Sequence, residues 1–124
     1  MILCDTNVLI EFYKGNPIIV DALRVIGPSN MAISIATLGE LYFGAKDKRE
    51  LRIIQSHLST LPILPLEGEI SALFTSLLES YAISNKLSIP DALIAATAIH
   101  HGLPLYTLNA KNYRFISNLQ LHTP

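Results

Sequence analysis

Three carboxylates stand out by their surroundings. Asp5 is the only charged side chain between Met1 and Ile10, Glu40 the only one between Met31 and Ala45, and Asp91 the only one between Leu87 and Leu103. The other seven of the ten acidic residues lie in polar or charge-bearing stretches, where hydration accounts for them. A carboxylate inside an apolar segment must take up a proton, meet a cation or bind a metal, because a buried unpaired charge is costly. No Lys or Arg shares those three segments, so one divalent ion is the simplest way to satisfy all three acids. Oxygen donors favour Mg²⁺, with Mn²⁺ as a substitute, and the lack of a Cys or His cluster argues against zinc. His100 and His101 are adjacent, a spacing that does not put two imidazoles on one helical face. A plainer reading stays open beside this one. Asp5 and Asp91 precede helical segments and would serve as N-caps, and Glu40 would then belong to a solvated stripe.

The elements that must position these acids follow from the apolar pattern. Ile2-Leu3-Cys4 and Met31 to Ser34 read as buried strands, the first ending at Asp5. Helical spacing begins with Val8, Leu9 and Phe12, is broken at Gly15-Asn16-Pro17, and resumes from Ile18 to Ile26 before Gly27-Pro28. From Ile35 to Ala45 apolar residues cover nearly the whole circumference of a helix, which predicts burial on most sides, with Glu40 in its middle. Lys46 to Thr60 reads as a polar-faced helix with Leu51, Ile54 and Leu58 inward. Leu61 to Leu66, punctuated by two prolines, suits a short edge strand. A long helix is predicted from Glu67 to about Asn85, and another from Pro90 to His101, stopped by Gly102. Pro104 to Thr107 and Leu119 to His122 are the last strand candidates. Strands alternating with helices predict a mainly parallel sheet covered on both faces, with the ligand at the carboxyl ends of the strands.

The bulk properties narrow the class. With 124 residues the expected organisation is a single domain over 1–124, and half the residues are hydrophobic, which disfavours disorder. A net charge of −1 advertises no nucleic-acid coat, so a polyanion would have to be gripped locally. Lys14, Lys46, Lys48, Arg49 and Arg52 are the candidates for that grip, with Lys111 and Arg114 as alternatives; the competing reading is a solvated helix face. The lone Cys4 reads as a packed thiol in a reducing compartment. No signal segment or apolar run of membrane-spanning length is present, so a cytoplasmic protein is expected.

Asp5-Thr6-Asn7-Val8-Leu9-Ile10, Thr37-Leu38-Gly39-Glu40-Leu41-Tyr42-Phe43-Gly44-Ala45 and Ile89-Pro90-Asp91-Ala92-Leu93-Ile94-Ala95-Ala96 together resemble the PIN-domain family. The resemblance is nearest to the VapC toxins of bacterial and archaeal toxin–antitoxin pairs. Leu105-Tyr106-Thr107-Leu108-Asn109, followed by Lys111-Asn112-Tyr113, looks like the family's fourth segment, so the match runs through essentially the whole chain. The resemblance implies a three-layer α/β/α sandwich around a five-stranded parallel sheet and Mg²⁺-dependent endoribonuclease activity. It further implies a homodimer and inhibition by a VapB-type antitoxin protein. Asp5, Glu40 and Asp91 take the places of the family's acids, Thr6 and Asn7 would orient Asp5 or contact a metal-bound water, and Thr107 would line the pocket. The family often has a further acid in the fourth segment. Asn109 and Asn112 stand there instead, offering a carbonyl oxygen but no charge, so one ion rather than two is expected.

Leu9, Phe12 and Tyr13 are the expected groove for an antitoxin segment, and Tyr42, Phe43, Tyr81 and Tyr113 are expected as core or interface. Single-stranded or looped RNA is the expected substrate. An aspartyl-phosphate phosphatase would need a second Asp where Asn7 stands, and a receiver domain would need an acidic pair that is missing. The stronger competitor is a PIN-like RNA-binding or scaffold module with weak or lost turnover, favoured by Asn109 and Asn112 and opposed by the three acids.

Overall fold

The computed structural model describes all 124 residues. Ile2–Cys4 (β1), Met31–Ser34 (β2), Ile63–Leu64 (β3) and Leu105–Tyr106 (β4) form one sheet in the order β3-β2-β1-β4, with every pairing parallel. Six helices surround it: Thr6–Tyr13 (α1), Pro17–Ile26 (α2), Ile35–Phe43 (α3), Lys48–Leu58 (α4), Gly68–Tyr81 (α5) and Ile89–His101 (α6). No helix is long and apolar enough to cross a membrane.

The alternation of the strands sorts the core into two halves. Leu3, Ala32 and Leu105 face one side of the sheet, where they pack with Ile70 and Leu77 of α5 and Ile94 and Ala98 of α6. Cys4, Met31, Ile33 and Tyr106 face the other, against Val8 and Leu9 of α1, Leu23 of α2, Leu41 of α3 and Ile54 and Leu58 of α4. Successive residues of a strand point to opposite faces, so a sheet buried on both sides is apolar throughout. The result is the α/β/α layering that the alternation of elements predicts.

The expected fifth strand is reduced to one bridge. Leu105 pairs with Leu121 in parallel, through Leu105 N–H to Gln120 O at 2.9 Å and His122 N–H to Leu105 O at 2.8 Å. The ladder cannot lengthen because its partner β4 stops at Tyr106, after which Thr107 turns aside into a hydrogen-bonded cluster with Asp5. Two helices also differ from expectation. α5 ends at Tyr81 rather than Asn85. In α3 only Thr37 and Leu41 are buried, while Phe43 is 93% exposed; its apolar circumference does not translate into burial on most sides, because one face alone, that of Thr37 and Leu41 four residues apart, turns to the core.

Candidate active site at the carboxyl ends of the strands

Cys4, Ser34 and Tyr106 end β1, β2 and β4 on one edge of the sheet; β1 leads directly into Asp5 and β4 into Thr107, while Ser34 caps α3, which carries Glu40. Asp5 follows β1 and is 4% exposed. Its main chain is laced to β4 through Asp5 N–H to Tyr106 O at 2.9 Å. Its side chain accepts from Thr6 N–H on Oδ1 at 2.7 Å and from the Thr107 hydroxyl on Oδ2 at 2.8 Å. Asp5 is therefore the N-cap of α1, as the plainer reading had it, but only half of its carboxylate does that work. Burial raises its pKa, and the negative charge of Asp91 adds to the rise; hydrogen bonds from Thr107, the Thr6 amide and Tyr113 oppose it.

Asp91 sits in the first turn of α6 and is not its cap. Ser88 caps that helix, accepting from Asp91 N–H at 3.2 Å, which leaves the Asp91 carboxylate free for tertiary contacts. Tyr113 donates to Asp91 Oδ1 at 2.9 Å, and Asn112 Nδ2 lies 3.5 Å from Oδ2. The Tyr113 ring is 1% exposed. Burial pushes the pKa of its phenol well above the usual range, and the charges of Asp5 and Asp91 push the same way. Its hydroxyl stays protonated and works as a fixed donor between the two acids.

Glu40 reaches the site by a different route. It is exposed on α3, not enclosed, yet its Oε1 accepts from the Thr6 hydroxyl at 2.7 Å. Behind Thr6 lie Thr37 Oγ1 at 3.0 Å and then Ser34 Oγ, 3.4 Å from Thr37 Oγ1, so a row of buried hydroxyls leads from β2 to Glu40. Asn7 completes the loop side, accepting from Leu108 N–H at 3.2 Å and donating to Thr107 Oγ1 at 3.4 Å. Asn109 contributes its backbone N–H to Thr107 Oγ1 at 3.1 Å; no side-chain hydrogen bond of Asn109 enters the cluster.

The three acids do not collapse into a tight cage. The one set of three ligand-type side chains whose donor atoms all lie within 4.8 Å of one another is Glu67, His100 and His101, at the opposite end of α6. Asp5, Glu40 and Asp91 stand wider apart, each accepting from one hydroxyl: Thr107 for Asp5, Thr6 for Glu40 and Tyr113 for Asp91. Yet no cationic side chain answers them: the Lys and Arg ion pairs of the molecule fall on Glu11 and Asp21. Acids held by neutral donors, one of them buried with its pKa raised, suit a hard divalent ion that brings further oxygen ligands as water.

Beside Glu40 opens a cleft of about 500 Å³, lined by Ile10, Tyr13, Leu41, Ile53 and Ile54 with Lys14 and Lys46 at its margin. Leu9, expected in such a groove, is fully buried in the core, and Ile10 takes its place. Phe12 stacks on His57. The expected basic run is divided: Arg49 and Arg52 line a separate depression with Ser56, His57 and Thr60.

Tyr113 is the residue that the sequence reading missed. Its expected role in the core is met by its ring, but nothing in its neighbourhood announced the hydroxyl's place between two acids. A polar tip on a buried aromatic must find a partner, and in an otherwise apolar fold the partners at hand are the isolated acids.

Against known proteins, the family model described as PIN domain matches residues 2–116. The chain belongs to the PIN-domain family. Within that family its likeness is to VapC proteins. It is 32% identical over 124 residues to Ribonuclease VapC10 of Mycobacterium tuberculosis, with 97% of this chain and 91% of the relative covered. It is 29% identical over 121 residues to Ribonuclease VapC2 of Haemophilus influenzae, covering 94% and 92%. Among solved structures it resembles a toxin–antitoxin complex from Klebsiella pneumoniae at a TM-score of 0.82 and 34% identity, covering 96% of this chain and 95% of that one. It also resembles DNA-bound VapBC from Salmonella typhimurium at a TM-score of 0.86 and 26% identity, with 98% of each covered.

Proposed function

We propose that this chain is the toxin of a VapBC-type pair: a Mg²⁺-dependent endoribonuclease, with Mn²⁺ as a substitute ion, that acts as one PIN-like domain over 1–124. The observation that carries the reading is that Asp5 and Asp91, near enough for their charges to interact, and Glu40, linked to Asp5 through Thr6, are unanswered by any Lys or Arg. Its similarity to VapC ribonucleases and to VapBC complexes supports the activity and a VapB-type antitoxin as partner. Homodimer formation is part of the same reading.

Asp5 and Asp91 would hold the ion, with Glu40 joining directly or through water. When bound, the ion supplies charge for the scissile phosphate and lowers the pKa of a coordinated water. The chain's own residues do the positioning. Thr107 and the Thr6 amide fix the two oxygens of Asp5, Tyr113 fixes Asp91, and Thr6 holds Glu40. Lys14 and Lys46, which line the neighbouring cleft, would meet backbone phosphates of a single-stranded or looped RNA. Asn7 holds the Thr107–Leu108 turn in place.

A second reading, weak or absent turnover with RNA binding retained, is favoured by one feature. Asn112, without charge, lies against Asp91 in the segment where the family often has an acid. Cleavage of RNA by the purified chain, with Mg²⁺ and with chelator, in the parent and in Asp5→Asn and Asp91→Asn, separates the two. Cleavage that needs Mg²⁺ and both acids supports the nuclease. Cleavage undiminished by chelator or by either substitution sinks the proposed site, and RNA binding without cleavage selects the second reading.

A further inference from the structure

We infer that the far end of α6 carries a second metal site, chemically unlike the acidic one: a borderline transition ion of the Zn²⁺ class held by Glu67, His100 and His101. The inference does not depend on the nuclease reading. α6 carries Asp91 in its first turn and the two histidines in its last. Nine residues of helix separate Asp91 from His100, roughly 13 Å at 1.5 Å per residue, so the two places are distinct.

Glu67 stands at the N-cap of α5 but makes no capping hydrogen bond there. Its carboxylate turns instead to α6, with Oε2 3.2 Å from His100 Nε2. The other nitrogen of the same ring, Nδ1, lies 3.1 Å from Glu69 Oε2. His101 stands edge-on to His100, ring centres 4.8 Å apart, and its Nε2 is buried with no hydrogen-bond partner. One donor atom from each of Glu67, His100 and His101 lies within 4.8 Å of the other two. Adjacent helical positions point about 100° apart, and the sequence therefore argued against this pairing. The two rings nonetheless come together in the final turn, beside the start of α5, with Glu67 in reach of both.

The hydrogen-bond arithmetic favours a metal. If Glu69 accepts the Nδ1 proton of His100, a neutral His100 turns the lone pair of Nε2 toward an oxygen of Glu67, acceptor against acceptor. A second proton on His100 would relieve that contact but leave His101 Nε2 orphaned, and a buried polar atom without a partner is costly. One cation among the three would engage one nitrogen of each ring and the carboxylate together. The 3.2 Å between His100 Nε2 and Glu67 Oε2 is close to the roughly 3.3 Å that tetrahedral zinc imposes on ligands about 2.0–2.1 Å from it. Two imidazoles and one carboxylate select Zn²⁺ or its neighbours in the transition series over Mg²⁺. Glu69 then plays the part of the carboxylate that fixes the tautomer of a ligating histidine. The bound ion would clip the start of α5 to the end of α6 and leave one coordination position for water or an outside ligand.

The test is a titration of the full chain with ZnCl₂ by calorimetry, after chelation and with excess Mg²⁺ present to fill the acidic site. One Zn²⁺ per chain is expected. His101→Ala and His100→Gln should each weaken that binding by about 100-fold or more, and Glu69→Gln by about 10-fold, with circular dichroism reporting an intact fold. Asp5→Asn should leave zinc affinity unchanged, and X-ray absorption of the zinc-loaded chain should show two imidazole nitrogens. No zinc uptake by the parent, undiminished uptake in folded His101→Ala and His100→Gln, or uptake lost only in Asp5→Asn would each overturn the proposal. Because the readout is metal binding and not RNA cleavage, failure here leaves the nuclease reading untouched, and failure there leaves this one.

Discussion

The hydroxyl of Tyr113 donates to Asp91 Oδ1 at 2.9 Å from a ring that is 1% exposed. The same hydroxyl lies near enough to Asp5 to oppose the rise of its pKa, so one neutral group touches both of the acids that would grip the ion. Tyr113→Phe keeps the ring and deletes only this donor. Mg²⁺-dependent kcat/KM should fall about 10- to 100-fold, as for loss of a group that orients a metal ligand, while stability drops by about 1 kcal/mol for one hydrogen bond. Kinetics across a Mg²⁺ series together with thermal melts would check it; unchanged activity would mean that the hydroxyl serves packing alone.

Asp5→Asn should abolish cleavage and yet stabilise the metal-free protein at neutral pH. The folded state raises the pKa of Asp5, by burial first and by Asp91 second, so the folded chain binds that proton more tightly than the unfolded chain does. The associated stability is present below the unfolded carboxyl range, about pH 3.9, and is lost as pH rises through the folded value. Above it, an ionised Asp5 is a net cost that Asn removes. Melting curves in chelator against pH should show a flatter profile for the variant, and added Mg²⁺ should raise the melting temperature of the parent only.

Thr6→Val should uncouple Glu40. The change removes the hydroxyl that donates to Glu40 Oε1 at 2.7 Å and lies 3.0 Å from Thr37 Oγ1. Activity is expected to fall roughly 10-fold or more and stability by about 1–2 kcal/mol, since Thr37 loses a neighbour too. If Glu40→Gln and the double variant show the same activity as Thr6→Val, the two residues act as one unit.

Cys4 should be inert in the native protein. The thiol is fully buried, and its pKa is pushed up to about 12 by desolvation and then by Asp5. Since the thiolate is the reacting form, alkylation by iodoacetamide should proceed at the rate of unfolding, as mass spectrometry under native and denaturing conditions would reveal. Fast labelling of the folded chain would contradict the buried position of β1.

The positions of Asp5, Glu40 and Asp91 were legible because charge is rare in segments that build a core. The strands and helices were legible because Pro17, Gly27, Pro90 and Gly102 punctuate them at or beside their observed limits. What stayed hidden depends on distance in the chain. Nothing within β4 tells that Thr107 leaves the ladder for Asp5, 102 residues away. Nor does a local pattern distinguish Tyr113 from any other core aromatic. Adjacent histidines looked unable to cooperate, because helical spacing describes a helix alone and says nothing of the carboxylate that α5 brings between them. Glu40 read as interior from its apolar neighbours, yet only Thr37 and Leu41 among them are buried, and Glu40 shares the exposed side of α3 with Phe43.

The three acids differ in freedom. Asp5 is laced by main chain and side chain to β4, and Asp91 is gripped by a tyrosine sunk in the core. Glu40 hangs on one hydroxyl at the rim of a cleft open to water. Two of the acids are thus anchored and the third is tethered at a single point, so a change in the contents of the cleft would be felt at Glu40 before it was felt at Asp5 or Asp91.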